Sequence, residues 1–286
     1  MIRQFLPAIW SVVVLCLFCE PPAVACTLWA AAGGRVKDGG TLISKNRDQK
    51  PDQKTFFEII HPPKGFAYLS MSGGDEDGTT PRGGINERGF AVVAATAGSV
   101  QRKVRLSGEK GTVRHLLQNF QDVKAALSDK ARLKRFHPVF LLLADKGRIA
   151  AVEISTSGVS VEVSTSGVLA HTNHYILAED IRQKPSASSV ARLARIMELL
   201  AAAPGMTLED AIVFGNDNRD GPDNGILRTG GTKGAARTLG RISIRIPPDA
   251  APEVSISLEN TGRKAKPEKQ LTLDENFWSG SGVILE

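Results

Sequence analysis

Ala23-Val24-Ala25-Cys26-Thr27-Leu28-Trp29 is the stretch on which the reading of this chain turns. Before Cys26 lie the three parts of a secretory leader: a positive start at Arg3, an apolar run from Phe5 to Phe18, and the small-x-small triplet Ala23-Val24-Ala25. Glu20, Pro21 and Pro22 break any helix ahead of the triplet, because proline lacks an N–H and clashes with the preceding turn. The run is short for a bilayer span, which takes about 20 apolar residues. Residues 1–25 are therefore expected to be a signal peptide removed by signal peptidase. Residues 26–286 would then form one secreted or periplasmic domain with Cys26 as its first residue. The rival is a lipid-anchored cell-envelope binding protein without catalysis, in which lipidation blocks both thiol and amine. Lipid-attachment sequences usually carry Leu where this chain has Ala23.

Composition narrows the class. Of three cysteines, Cys16 and Cys19 leave with the leader, so the mature chain has one thiol and no internal disulfide. A lone thiol in an oxidising compartment asks for a chemical role. The net charge of +6 survives leader removal, since Arg3 and Glu20 cancel. The basic residues are dispersed and no basic run is interleaved with aromatics, which argues against a nucleic-acid partner.

Working outward, Thr27–Gly33 and Thr41–Asn46 read as strands joined by a Gly-rich turn. Lys45-Asn46-Arg47-Asp48 ends the second, close to Cys26. Phe56–Ile60 with Phe66–Met71, and Val139–Ala144 with Arg148–Ile154, read as hairpins. Gly73–Gly84 reads as a polar Gly-rich loop, and Gly84–Gly89 as a turn into the strand Phe90–Ala95. Ser-Thr-Ser-Gly-Val occurs at 155–159 and 164–168, suggesting two turns of one meander. Helical patterns cover Val113–Phe120, Val123–Leu127 and Leu208–Phe214, the last capped by Thr207. The clearest is Ser188–Leu200, capped by Ser188 or Ser189, with Val190, Leu193, Ile196, Met197 and Leu200 as its apolar face. Ile242–Ile246 and Val254–Leu258 are strands, and Arg263–Lys269 a basic exposed connection. Strands, helices, then strands predict an α+β domain of layered, mostly antiparallel sheets.

An N-terminal cysteine combines two functions in one residue. The thiolate is the nucleophile. The α-amine, with an ordinary pKa of roughly 7.7–8 against about 8.5 for the thiol, can take the thiol proton and return it to a leaving amine. Before cleavage that nitrogen is an amide and cannot act as a base.

Cys26-Thr27-x-Trp29 followed by Lys45-Asn46-Arg47-Asp48 resembles the start of an N-terminal-nucleophile (Ntn) hydrolase, of the linear-amide group. That group includes choloylglycine hydrolase, penicillin V acylase, acid ceramidase and acyl-coenzyme A:6-aminopenicillanate acyltransferase. Gly84-Ile85-Asn86-Glu87-Arg88-Gly89-Phe90, His171-Thr172-Asn173-His174 and the Ser-Ser-x-x-Arg run Ser188–Arg192 resemble its later motifs, in order. The resemblance implies an αββα sandwich with Cys26 as nucleophile and base. It implies Asp48 as the carboxylate holding the Cys amine and thiol, Asn173 as an oxyanion donor, and Arg192, rather than Arg195, as the arginine beside the nucleophile. Lys45 stands where many members carry Arg, losing the planar fork. Arg47 is read as facing away from it. Thr96 stands where bile salt hydrolases carry Asn, and would supply a backbone N–H to the oxyanion. That change points toward the penicillin acyltransferase-like branch.

Two other signals stay minor. Asn216–Gly221 resembles the start of a calcium loop, but Leu227 occupies the position of the closing Glu. His171 and His174 have no companion ligand pair at zinc spacing. The expectation is an exported hydrolase of a small-molecule acyl amide, without cofactor or metal and compatible with a homo-oligomer. An acyltransferase using an amine acceptor is the alternative.

Overall fold

The computed structural model describes residues 25–75, 78–179, 181–259 and 266–286. The leader assigned to residues 1–25 lies outside the described residues except for Ala25. The strands are β1 (Cys26–Ala32), β2 (Thr41–Gln49), β3 (Lys54–Ile60), β4 (Tyr68–Asp75), β5 (Gly78–Asn86), β6 (Ala91–Thr96), β7 (Val139–Asp145), β8 (Arg148–Ile154), β9 (Val159–Ser164), β10 (Gly167–His171), β11 (Arg237–Ile246), β12 (Glu253–Leu258), β13 (Glu268–Thr272) and β14 (Gly282–Leu285). The helices are α1 (Arg102–Arg105), α2 (Thr112–Asn119), α3 (Val123–Ser128), α4 (Lys130–Leu133), α5 (Ala187–Ala202), α6 (Leu208–Gly215) and α7 (Glu275–Trp278).

Two antiparallel sheets result. One runs β10-β1-β2-β11-β12-β13, and the other β14-β3-β4-β5-β6-β7-β8-β9. The period-2 alternation of strand side chains sorts each strand between two cores. Leu28, Ala30 and Ala32 of β1, Val93 of β6 and Phe140 and Leu142 of β7 fill the space between the sheets. Trp29 and Ala31 face outward under Ile196, Leu200 and Phe214 of α5 and α6. Val92, Leu141 and Leu143 face the opposite way, under Val113, Leu116, Leu117 and Val123 of α2 and α3. Helices thus cover the outer face of each sheet, giving the expected αββα sandwich.

Several local expectations are corrected. The stretch Gly73–Gly84 is not a loop: β4 continues to Asp75 and β5 starts at Gly78. Its glycines belong to strands because other groups occupy the space a side chain would need; a Cβ at Gly73 would lie 2.6 Å from the Arg47 guanidinium. The two Ser-Thr-Ser-Gly-Val copies do not turn within one meander. The first joins β8 to β9, whereas the second carries the chain from the edge of one sheet to β10 at the edge of the other. In the supposed exposed connection Arg263–Lys269, Glu268 and Lys269 already pair with β12 as the start of β13. Residues 260–265 lie outside the described part.

The β1–β2 connection positions the whole first sheet. Gly39 and Gly40 both have positive φ, +77° and +78°. At Gly40 a Cβ would stand 2.2 Å from the Ile246 carbonyl oxygen, whereas at Gly39 it would meet nothing within 4 Å. Gly39→Ala should therefore cost about 1–2 kcal/mol for the left-handed backbone alone. Gly40→Ala should cost clearly more, because β11 must also move. Urea unfolding of both variants checks this, and equal midpoints would remove the contact as the cause.

Candidate active site

Alternation along β2 builds the site from two sides. Lys45 and Arg47 share one face, because they are two residues apart; the expectation that Arg47 faces away from Lys45 is corrected. Both reach the space between the sheets, where they line a small cavity of about 50 Å³ with Cys26, Gln49, Arg82, Thr96 and His137. Asn46 and Asp48 point the other way. The Asn46 amide donates to the carbonyls of Gly215 and Ile226, both at 2.9 Å, tying β2 to the end of α6.

Cys26 starts β1, is 4% exposed and lies opposite Arg47 in the ladder. Its main-chain N–H donates to Asn173 Oδ1 at 2.8 Å. Asn173 Nδ2 donates to the Thr96 carbonyl at 2.9 Å, using one of its two N–H groups. Arg192 closes the cluster from α5, donating to the Cys26 carbonyl at 2.5 Å, to Thr27 Oγ1 at 2.9 Å and to Asn173 Oδ1 at 3.1 Å. Burial lowers its pKa to about 10, so it stays charged at neutral pH.

Helix α5 is phased by this cluster. Its buried side chains are Ser189, Arg192, Ile196 and Leu200, while Val190 and Met197 of the expected apolar face are exposed. The cap is Ser186, whose hydroxyl accepts from the Ser189 N–H, rather than Ser188 or Ser189. Ser189 Oγ instead accepts from the Asn173 N–H at 2.9 Å and contacts His174 Nδ1 at 2.8 Å. Ser188 Oγ donates to the Asp223 carbonyl. Arg195 lies apart, paired with Asp217 at 2.5 Å and with Glu198. Asp217, inside the supposed calcium loop, is thereby a partner of that helix.

Asp48 is fully buried. Its Oδ1 accepts from Thr238 Oγ1 at 2.8 Å, and its main-chain N–H donates to the Ala25 carbonyl at 3.1 Å. Its Oδ2 has no hydrogen-bond partner among the described residues. Burial raises its pKa to about 6, against the pull of Arg192 and Arg228. Lys45 Nζ donates to the carbonyls of Arg82, at 2.9 Å, and Ala94. Burial lowers its pKa to about 8, opposed by the charge on Cys26.

Some neighbours were not read from the sequence. Thr238 and Arg228 surround Asp48 from β11 and the segment before it. Glu153 holds the loop that carries Asn173: its carboxylate accepts from His171 Nε2 at 2.8 Å and from the N–H groups of Ile176, Leu177 and Ala178 at 2.6, 3.1 and 2.9 Å. His171 stacks on Phe140 with centroids 4.2 Å apart. The Asn-Glu-x-Gly turn is a structural joint. Asn86 accepts from the N–H groups of Arg88 and Phe90 and donates to the carbonyls of Leu117 and Phe120, fastening α2 to the β5–β6 turn.

A four-layer sandwich that opens its first strand on a buried cysteine, flanked by an asparagine and an arginine, defines the Ntn-hydrolase class. Two solved structures share the fold: a cysteine-to-alanine mutant and an arginine-to-leucine variant of conjugated bile acid hydrolase from Clostridium perfringens. Both are 14% identical to this chain and cover 91% of it and 96% of their own, with TM-scores of 0.54 and 0.55. No curated protein matches the sequence. The model of the acyl-coenzyme A:6-aminopenicillanic acid acyl-transferase family matches residues 35–263, and the chain belongs to that family. It is an enzyme that hydrolyses amides or transfers acyl groups.

With Ala25 still attached to Cys26, ionised Asp48 is a liability. A carboxylate whose pKa rises from 3.8 to about 6 on folding binds its proton more tightly when folded. Stability is then highest below pH 3.8 with respect to this group and falls as pH rises through about 6, by about 3 kcal/mol in all. In the uncleaved chain Asp48→Asn should remove this slope and raise the unfolding midpoint at pH 8 relative to the parent. Denaturant unfolding at pH 5 and pH 8 checks it, and an unchanged slope would show that Asp48 is not its source.

Proposed function

We propose that this chain is an exported N-terminal-cysteine hydrolase of a linear, non-peptide amide, cut after Ala25 by signal peptidase and acting through a thioester on Cys26. One observation carries this reading: the nitrogen and side chain of the same buried residue face different partners. The nitrogen is held by Asn173 Oδ1, and the side chain opens on the cavity between the sheets.

Cleavage would turn the Cys26 amide N–H into an amine. Asn173 Oδ1 accepts one of its hydrogens, and the orphan Oδ2 of buried Asp48 is an acceptor of the right charge for the ammonium form. The carboxylate that is a burden before the cut becomes a partner after it. In the reaction, Cys26 Sγ bonds to the amide carbonyl carbon as its proton passes to the neutral α-amine. The carbonyl oxygen becomes an oxyanion, which the second N–H of Asn173 and the backbone N–H of Thr96 would receive. The C–N bond breaks, the ammonium returns its proton to the leaving amine, and an acyl thioester remains. Water then adds to the thioester carbonyl, giving a proton to the amine, and the C–S bond breaks to restore the thiol. Arg192 positions this machinery through the Cys26 carbonyl and Asn173 rather than reacting.

The family is named for acyl transfer, and that favours a second reading in which an amine takes the acyl group in place of water. Product analysis with competing amines separates the two.

Three outcomes are expected. Cys26→Ala should abolish turnover with circular dichroism unchanged, and the parent incubated with substrate should carry the acyl mass on Cys26. Full activity in Cys26→Ala would end the proposal. A mass spectrum showing lipid on Cys26, or a first residue other than Cys26, would end it equally. Lys45→Arg should move the alkaline fall in kcat/KM upward from about pH 8, since arginine keeps its charge there; an unmoved limb would exclude Lys45 as its cause.

A further inference from the structure

The two donors proposed for the oxyanion come from different sheets. Thr96 ends β6 in one, and Asn173 follows β10 in the other. Sheets that meet through apolar side chains have no directional bond to fix their offset. Two hydrogen bonds cross the gap at Asn173: its Nδ2 donates to the Thr96 carbonyl at 2.9 Å, and its carbonyl accepts from the Ser99 N–H at 3.0 Å. Both act at one residue, so the loop around it would pivot about them unless it were held farther along. Glu153 holds it there.

Glu153 stands on β8 in register with the oxyanion site. Ala95, beside Thr96, pairs with Phe140 of β7, and Phe140 pairs with Glu153. Directly opposed residues share a face, so this row points between the sheets toward the loop after β10. His171 and Tyr175 close on the Phe140 ring with centroids 4.2 and 4.7 Å away. The Tyr175 hydroxyl donates to the Ile154 carbonyl at 3.1 Å. The fully buried Glu153 carboxylate then accepts from His171 Nε2 and from the N–H groups of Ile176, Leu177 and Ala178. These donors fill the acceptor positions of its two oxygens. Burial pushes the Glu153 pKa up, but the hydrogen bonds from His171 and the loop outweigh it and hold the carboxyl below its usual range. It is therefore ionised at neutral pH.

A buried charge held in this way contributes little stability over an apolar packing of the same volume. What it does supply is geometry. Its donors come from both sides of Asn173: residue 171 before it, and residues 176–178 after it. The loop that bears the oxyanion donor is thus clamped at both ends to the row of residues beside Thr96. Given the amide-hydrolase reading on which this rests, we propose that Glu153 is a positioning residue of the oxyanion site, setting Asn173 Nδ2 against the Thr96 N–H and taking no part in bond making.

Glu153→Gln tests it, because the amide keeps the shape and one oxygen but puts an NH2 where Oε2 meets the Ala178 N–H. In the protein that begins at Cys26, with an acyl p-nitroanilide as probe, kcat should fall about 10²-fold while KM stays within about twofold, as for a misplaced oxyanion donor. Circular dichroism should be unchanged. Asn173→Ala should lower kcat about 10²–10³-fold. Adding Glu153→Gln to Asn173→Ala should then cost less than about threefold more, because a residue that acts through another has little left to lose once that other is gone. A raised KM with kcat kept, an unchanged kcat, or full multiplication of the two losses in the double variant would overturn the assignment and leave the hydrolase reading standing. If Glu153→Gln does not fold, Glu153→Asp, which keeps the charge but is one methylene short, decides by the same two readouts. If the parent turns over no amide and carries no acyl mass on Cys26, the hydrolase reading and the role of Glu153 fall together.

Discussion

A charge with no exposure to water must be met by the protein, and Arg192 is met at every turn. Its guanidinium is shared by the Cys26 carbonyl, the Thr27 hydroxyl and the Asn173 amide oxygen. Removing any one of these leaves a buried donor without an acceptor, which is costlier than the bond itself is favourable. The first strand, the loop after β10 and helix α5 are therefore fixed against one another by one side chain. That is also why α5 buries a serine and an arginine where a hydrophobic helix would bury valine and methionine.

The second organising fact is that one strand divides the chemistry. Odd-numbered residues of β2 bring cations to the thiol between the sheets, and even-numbered ones bring Asn46 and Asp48 beneath the helices. The sulfur and nitrogen of Cys26 thus meet different electrostatic surroundings although they belong to one residue. The proposed reaction, with its nucleophile on one side and its proton carrier on the other, uses that division.

Much of this was legible in the sequence, and the misreadings have physical causes. The β1–β2 hairpin, the β7–β8 hairpin, α2, α3 and the Thr207 cap of α6 were readable because each depends on neighbours in sequence. The end of β4 and the strand β5 were hidden by glycines, which look like loop residues but clear space for Arg47 and for neighbouring backbone. The phase of α5 was hidden because its site-facing positions are polar. Arg47 was misassigned by treating residues two apart as opposed. The surroundings of Asp48 and the Glu153 anchor were beyond sequence reading: Thr238 meets Asp48 across 190 residues, and nothing local marks either. Glu153 shows the same in another way, since its three amide partners are backbone groups that any residue would supply.

The missing side chain at Gly73 has a consequence for how this enzyme diverges. Positions 47 and 73 occupy one volume between two different sheets, so neither can change size freely. A descendant that trades the arginine for a small apolar residue gains a void that only a larger residue at 73 can refill. One that enlarges 73 first displaces the guanidinium from the pocket. The two positions should drift as a linked pair, and the order of substitution is constrained to shrink first and fill second.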